Sequence, residues 1–147
     1  MIRSLAGRFR DSTSGAAAVE FAFVAMPLML LIFGILEFGR ALWDHNALQE
    51  TAMAAARCEG ISQGSLASTA ACNGTSVTAY TQQVASGWGI TVPSSGITAT
   101  ASTSCGGVTG FSQVSLTYTF QSAVPQLLGV FSGGVPLTAT ACFPIQP

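Results

Sequence analysis

The sequence predicts an α+β fold: a long N-terminal transmembrane helix that continues into a small exported domain, which holds a second helix and a short antiparallel sheet. Three observations predict it. An uncharged apolar run, Phe21 to Leu36, is followed closely by the segment Ala41 to Arg57, rich in strong helix formers and free of proline and glycine. Strict apolar and polar alternation runs from Val114 to Gln121. Four cysteines, Cys58, Cys72, Cys105 and Cys142, all follow the apolar run. At 147 residues the chain has room for one modest core beyond the apolar segment. The expected division is a basic leader at 1–15, a transmembrane and assembly helix with its exported extension at 16–57, and a disulfide-stabilised exported domain at 58–147.

The leader carries Arg3, Arg8 and Arg10, and the far side of the apolar run opens with Glu37, Arg40 and Asp44. The excess of arginine before the helix places the N-terminus in the cytoplasm and the cysteines outside. Phe21 to Leu36 alone is short for a span. Extended back to Ala16 it reaches 21 residues, about 31 Å of helix against a hydrocarbon core of roughly 30 Å. Glu20 then lies inside the apolar segment, where a carboxylate is costly and calls for a partner.

Three readings of this junction compete. A secretory signal needs a small-x-small cleavage site after the apolar core, and the core here ends in Glu37-Phe38-Gly39-Arg40. An uncleaved anchor leaves Glu20 unexplained. A prepilin-type signal, whose leader ends in glycine and whose mature helix has glutamate at its fifth position, fits Gly15 followed by Ala16-Ala17-Ala18-Val19-Glu20-Phe21. Processing between Gly15 and Ala16 leaves an ammonium on Ala16. Glu20 of one subunit can neutralise that group on a neighbour, which makes its burial intelligible. Pro27 removes one backbone donor and loosens the turn around Phe23.

Ala41 to Arg57 is expected to continue the helix outward despite Gly39, with Ala41, Leu48, Ala52 and Ala55 near one face and Asp44, Glu50 and Arg57 as polar surface. Arg40 and Trp43 suit the membrane interface as anchors. The helix is expected to end between Arg57 and Gly60, with Ile61 to Ser65 as loop. A second helix is expected from Ser76 to Ser86, with Val77, Tyr80 and Val84 on its apolar side, Gly87 as its stop, and Trp88 and Ile90 inserted beneath the first helix.

Strands are expected at Ile97 to Thr103, Val114 to Gln121 and Leu137 to Phe143, with Gly106, Gly107 and Gly110 in the turns before the central one. A short helix is expected from Pro125 to Phe131. An even number of cysteines beside a small core reads as disulfides in an oxidising compartment. Neighbour pairing, Cys58 with Cys72 and Cys105 with Cys142, is preferred, because the first clips a short loop and the second ties two strands.

From Gly60 onward there is no Lys, Arg, Asp, Glu or His. This argues against nucleic acid, which requires clustered cations. His45 stands upstream of every cysteine and no CxxC occurs, so no zinc site is expected. No nucleophile has a base and an orienter, and Gly106-Gly107-Val108-Thr109-Gly110 lacks the lysine of a phosphate loop. No enzyme activity, cofactor or small-molecule substrate is expected.

The run from Gly15 to Ala22, then Pro27, then Phe33-Gly34-Ile35-Leu36-Glu37-Phe38-Gly39-Arg40-Ala41-Leu42-Trp43, resembles the TadE-like family of pseudopilins associated with tight-adherence, or Flp, pili. The resemblance is dense over residues 13 to 56, and beyond residue 58 it extends only to the general pattern of paired cysteines and strands. It implies a minor pilin-like component of a bacterial pilus and secretion system in the inner membrane, processed by a prepilin peptidase at Gly15. It implies further that Glu20 and Phe21 belong to the assembly region, and that the partners are that peptidase, other pilin-like subunits, the pilus assembly machinery and inner-membrane lipid. The alternative is an uncleaved single-pass anchor presenting a structural or adhesive domain.

Overall fold

In the computed structural model, the described residues are 14–63, 72, 76–123 and 133–145. The leader arginines and the helix expected from Pro125 to Phe131 lie outside them. The remainder is a long apolar N-terminal helix and a smaller α+β part with a short antiparallel sheet. Compact units divide between Phe38 and Gly39.

Helix α1 runs unbroken from Ser14 to Ser62, through Pro27, Gly34 and Gly39. It passes the expected stop at Gly60. Glycine ends helices where the chain must turn left-handed, but here the demand is for space. A Cβ on Gly60 would stand 2.7 Å from Phe143 Cδ1 and 3.0 Å from Ser112 Oγ. Gly60 is therefore a point of close contact between α1 and the sheet.

Helix α2, Val77–Gly87, starts on Ser76, whose side chain accepts a hydrogen bond from the Ala79 amide. Its stop is not Gly87, which is the last helical residue. Gly89 takes φ +81°, while the Ile90 amide donates to the Ala85 carbonyl and the Gly89 amide to that of Ser86, a Schellman closure. The buried side chains are Thr81 and Ala85, with Val77 packed at the edge of the core; Tyr80 and Val84 are only half-buried. Threonine can occupy this face because its hydroxyl donates back to the Val77 carbonyl, 2.6 Å away. Ile90 is buried as expected, whereas Trp88 is 43% exposed and does not insert.

Strands β1 (Ile97–Cys105), β2 (Val108–Phe120) and β3 (Val135–Pro144) form one antiparallel sheet in the order β1-β2-β3. Gly106 and Gly107, with φ +60° and +84°, make the two-residue turn between β1 and β2. Gly110 is not in that turn. It lies inside β2 at φ +89°, where Thr103 faces Phe111 and Ser104 faces Thr109, so it forms a bulge. On β2, Ser112, Val114, Leu116 and Phe120 are buried and Tyr118 is half-buried, as alternation requires.

The core joins Ala47, Leu48, Ala52, Ala55 and Ala56 of α1 to Ala85, Ile90, Val92, Val114, Leu116 and Ala139. Of the four residues expected on this face, Leu48, Ala52 and Ala55 are buried and Ala41 is half-buried; Glu50 and Arg57 are exposed. Small side chains bring α1 close to β2, and the buried Ser112 hydroxyl donates to the Ala56 carbonyl at 2.9 Å, with the Phe143 carbonyl at 3.1 Å. Thr51, also buried, donates to the Ala47 carbonyl at 2.7 Å.

Disulfides join Cys58 to Cys72 and Cys105 to Cys142. The first is buried; the second connects the two outer strands, with β2 between them in sheet order.

Two outcomes follow for the full chain in detergent. Replacing Gly60 with Ala lowers unfolding stability by about 1–3 kcal/mol through overpacking, although Ala is the better helix former. At Gly39, where a Cβ meets nothing within 4 Å, the same change raises stability by up to about 1 kcal/mol. Chemical denaturation reads both signs. Changing Cys105 and Cys142 together to Ser removes a closure spanning 37 residues and costs about 2–4 kcal/mol, read as a lowered thermal midpoint.

Candidate functional site

Gly15, Ala16, Glu20 and Phe21 occupy the first two turns of α1 and are all exposed. A Cβ on Gly15 would meet nothing within 4 Å. Glu20 and Phe21 stand on an apolar surface that continues through Phe23, Val24, Met26 and Leu28 to Leu36, with Phe21 74% and Phe23 77% exposed. Side chains of this size are normally buried, so their exposure from Val19 to Leu36 marks a stretch suited to an apolar surrounding such as lipid. The helix is long and apolar enough to cross a membrane.

Ala18, Val19, Ala22, Phe23 and Met26 line a shallow apolar recess on this stretch. Pro27 offers no N–H to the Phe23 carbonyl, yet helical geometry persists on both sides. Glu37 is the first buried residue along α1 from Gly15, at 5% exposure.

Beyond Gly39 a second group of residues assembles, one that sequence reasoning missed. The Arg40 guanidinium lies 5.5 Å from the centre of the Phe120 ring. One helical turn later Asp44 accepts a hydrogen bond from the Tyr118 hydroxyl. Burial pushes the Asp44 carboxyl above its ordinary value of 3.8, opposed by the charge of Arg40 and by the Tyr118 hydrogen bond. Tyr118 is likewise raised above 10.0, first by burial and then by the Asp44 charge. Asp44 was expected as open polar surface. It is half-buried because Tyr118 and Phe120 project from the inner face of β2 toward this end of the sheet. The only trace in the sequence is that Tyr118 continues the inward register of β2.

Trp43 is 59% exposed and meets Trp88 edge to face, with ring centres 6.2 Å apart. The predicted processing, assembly and anchor residues thus follow one another along α1 and do not converge on a cavity, while Cys72, Cys105 and Cys142 lie outside that helix in the two disulfides. Among the described residues no group of three His, Cys, Asp or Glu stands close enough to hold a metal ion.

A family model described as TadE-like protein matches residues 15–57, under a third of the chain and nearly coextensive with α1. Comparison with curated proteins and with solved structures yields no match.

The Asp44 environment sets a pH dependence. A carboxyl held above its unfolded value contributes stability that is fully present below about 3.8 and is lost as pH rises through the folded value. Thermal midpoints across the acidic range should therefore fall with rising pH through that window and then level off, and Asp44→Asn should abolish this component. Tyr118→Phe should remove a corresponding decline that begins above pH 10.0.

Proposed function

We propose that this chain is a minor pilin-like component of a bacterial tight-adherence, or Flp, pilus system. Its residues 15–57 match the TadE-like protein model, and that match, opening at Gly15, is the observation that carries the reading. In this reading a prepilin peptidase cuts between Gly15 and Ala16, which releases an ammonium on Ala16 at the start of an apolar helix.

The physical case rests on Glu20. In the single chain its carboxylate stands on an exposed apolar helix, a position costly in hydrocarbon unless a cation joins it. The Ala16 ammonium of a neighbouring subunit is such a cation. Pairing the two offsets their shared desolvation only when the helices stand in one register, so the pair selects that register among apolar surfaces that otherwise slide freely. Bulky exposed side chains from Val19 to Leu36 supply the packing surface, and Ala18 and Ala22 allow close approach.

The work of this protein is assembly and contact, not catalysis. The N-terminus lies in the cytoplasm, and the disulfide-bonded part lies on the other side of the inner membrane, an oxidising location consistent with both bridges. Its partners are the peptidase, other pilin-like subunits, the assembly machinery and lipid.

N-terminal sequencing of the mature protein tests the processing step. A start at Ala16 is expected, and an intact Met1 would leave only an uncleaved anchor. Glu20→Ala tests the next step: membrane insertion stays intact or becomes easier while pilus assembly is impaired. Unchanged pili with this variant would remove Glu20 from the mechanism.

A further inference from the structure

We propose that the Cys105–Cys142 bridge is a thiol–disulfide exchange site, opened by an external dithiol of the Cys-x-x-Cys class, whereas the Cys58–Cys72 bridge is permanent. Every residue involved belongs to the compact unit from Gly39 to Pro147. Exchange here needs neither processing nor assembly.

The two bridges differ first in access. Cys58 and Cys72 are 2% and 6% exposed, whereas Cys142 is exposed and Cys105 half-buried. Exchange proceeds by attack of a thiolate on a sulfur, so a bridge that meets solvent reacts while a buried one stays inert. Register explains the contrast. Cys142 stands opposite Gln113, and the residues on either side of Gln113, Ser112 and Val114, are both buried. Alternation therefore turns Gln113 and Cys142 to the face of the sheet away from the core.

The surroundings of Cys105 leave room for a reagent. Cys105 is the last residue of β1, followed by Gly106 and Gly107, where an added Cβ would meet nothing within 4 Å, and by Val108, which is 59% exposed. A reagent reaching this turn meets bare backbone and one apolar side chain. No Asp or Glu occurs after Glu59, so the sheet contributes no carboxylate side chain to repel an approaching thiolate. The sheet also does not need the bridge for its register. Pairing of β2 with β3 runs from Phe111–Pro144 to Phe120–Val135, and pairing with β1 from Cys105–Val108 to Ile97–Leu116. Both outer strands thus remain held by β2 when the bridge opens.

Gln113 selects the direction of the step. Its Nε2 donates to Cys142 Sγ at 3.8 Å. A donor in that place favours negative charge on Cys142 and makes it the better leaving group. The first thiolate of the dithiol therefore attacks Cys105 Sγ. The S–S bond breaks, its electron pair passes to Cys142 Sγ, and that thiolate takes a proton from water. A mixed disulfide between the reagent and Cys105 remains. The second thiol of the reagent loses its proton and attacks the reagent's own sulfur in that mixed disulfide, which displaces Cys105 as a thiolate. Two electrons have then passed to the Cys105 and Cys142 pair, and the dithiol has become a disulfide. The same steps in reverse close the bridge when the partner arrives oxidised.

The test uses the unmutated full chain in detergent, with dithiothreitol as the probe. Samples are quenched with acid over time, free thiols are alkylated, and peptide mass mapping assigns each label. Cys105 and Cys142 are expected to be labelled at least about tenfold faster than Cys58 and Cys72, while near-ultraviolet circular dichroism is retained. Equal rates, earlier opening of Cys58–Cys72, or opening only together with loss of the near-ultraviolet signal overturns the proposal. A Cys-x-x-Cys oxidoreductase with its second cysteine changed to Ser then traps the intermediate. A mixed disulfide on Cys105 is expected, and one on Cys142, Cys58 or Cys72 overturns the step. Gln113→Leu removes the donor at similar size and should slow opening of the bridge by about 2–10-fold, the worth of one hydrogen bond. An unchanged rate overturns the role given to Gln113.

Discussion

Everything beyond Gly39 depends on how closely a helix can approach the middle strand of a three-stranded sheet. The approach is set by what α1 lacks on that side. Ala47, Ala52, Ala55 and Ala56 present methyl groups where larger residues would hold the sheet away, and Gly60 presents nothing at all. Ser112 can therefore reach a helical carbonyl from the inner face of β2, a contact in which a buried hydroxyl is satisfied by backbone. Val114 and Leu116 fill the space between, and α2 and the segment through Ile90 and Val92 close over the remaining apolar edge. Buried threonines on both helices solve the same problem locally by bonding back to their own turn.

Along α1 the ordinary relation between size and burial is inverted. Its first half carries the large side chains, Phe, Leu, Ile and Met, and exposes them; its second half buries mainly alanine. Both arrangements answer to the surroundings. In hydrocarbon, large apolar surface costs nothing to expose, so bulky side chains can face outward along that stretch. Beside an aqueous sheet, close fit governs, and small residues give the shortest contact.

Much of this is legible in the sequence. Alternation located β2 because sheet packing has period two, and the helix after Arg40 was legible from the composition of Ala41 to Arg57. Glycines were misread where their role depended on distant neighbours. Gly60 looked like a helix end because nothing local announces Phe143 and Ser112, and Gly87 and Gly110 were assigned to a stop and a turn that belong to Gly89 and to Gly106-Gly107. The Arg40, Asp44, Tyr118 and Phe120 group was invisible for the same reason, since its members lie on α1 and β2, far apart in sequence. At the N-terminal junction the order is reversed: the spacing of Gly15 and Glu20 is read from the sequence alone, and in the single chain both residues are simply exposed on α1.

The bridge between Cys105 and Cys142 encloses the whole of β2 within one covalent ring. Tension applied between the two ends of the chain passes through the bridge and bypasses the ring. Some 37 residues, roughly 120 Å of extended contour, are withheld from stretching while the bond lasts. The strand that carries Ser112, Val114, Leu116 and Phe120 is thereby taken off the load path, so a pull that peels the outer parts of the chain leaves the centre of the sheet without direct force upon it.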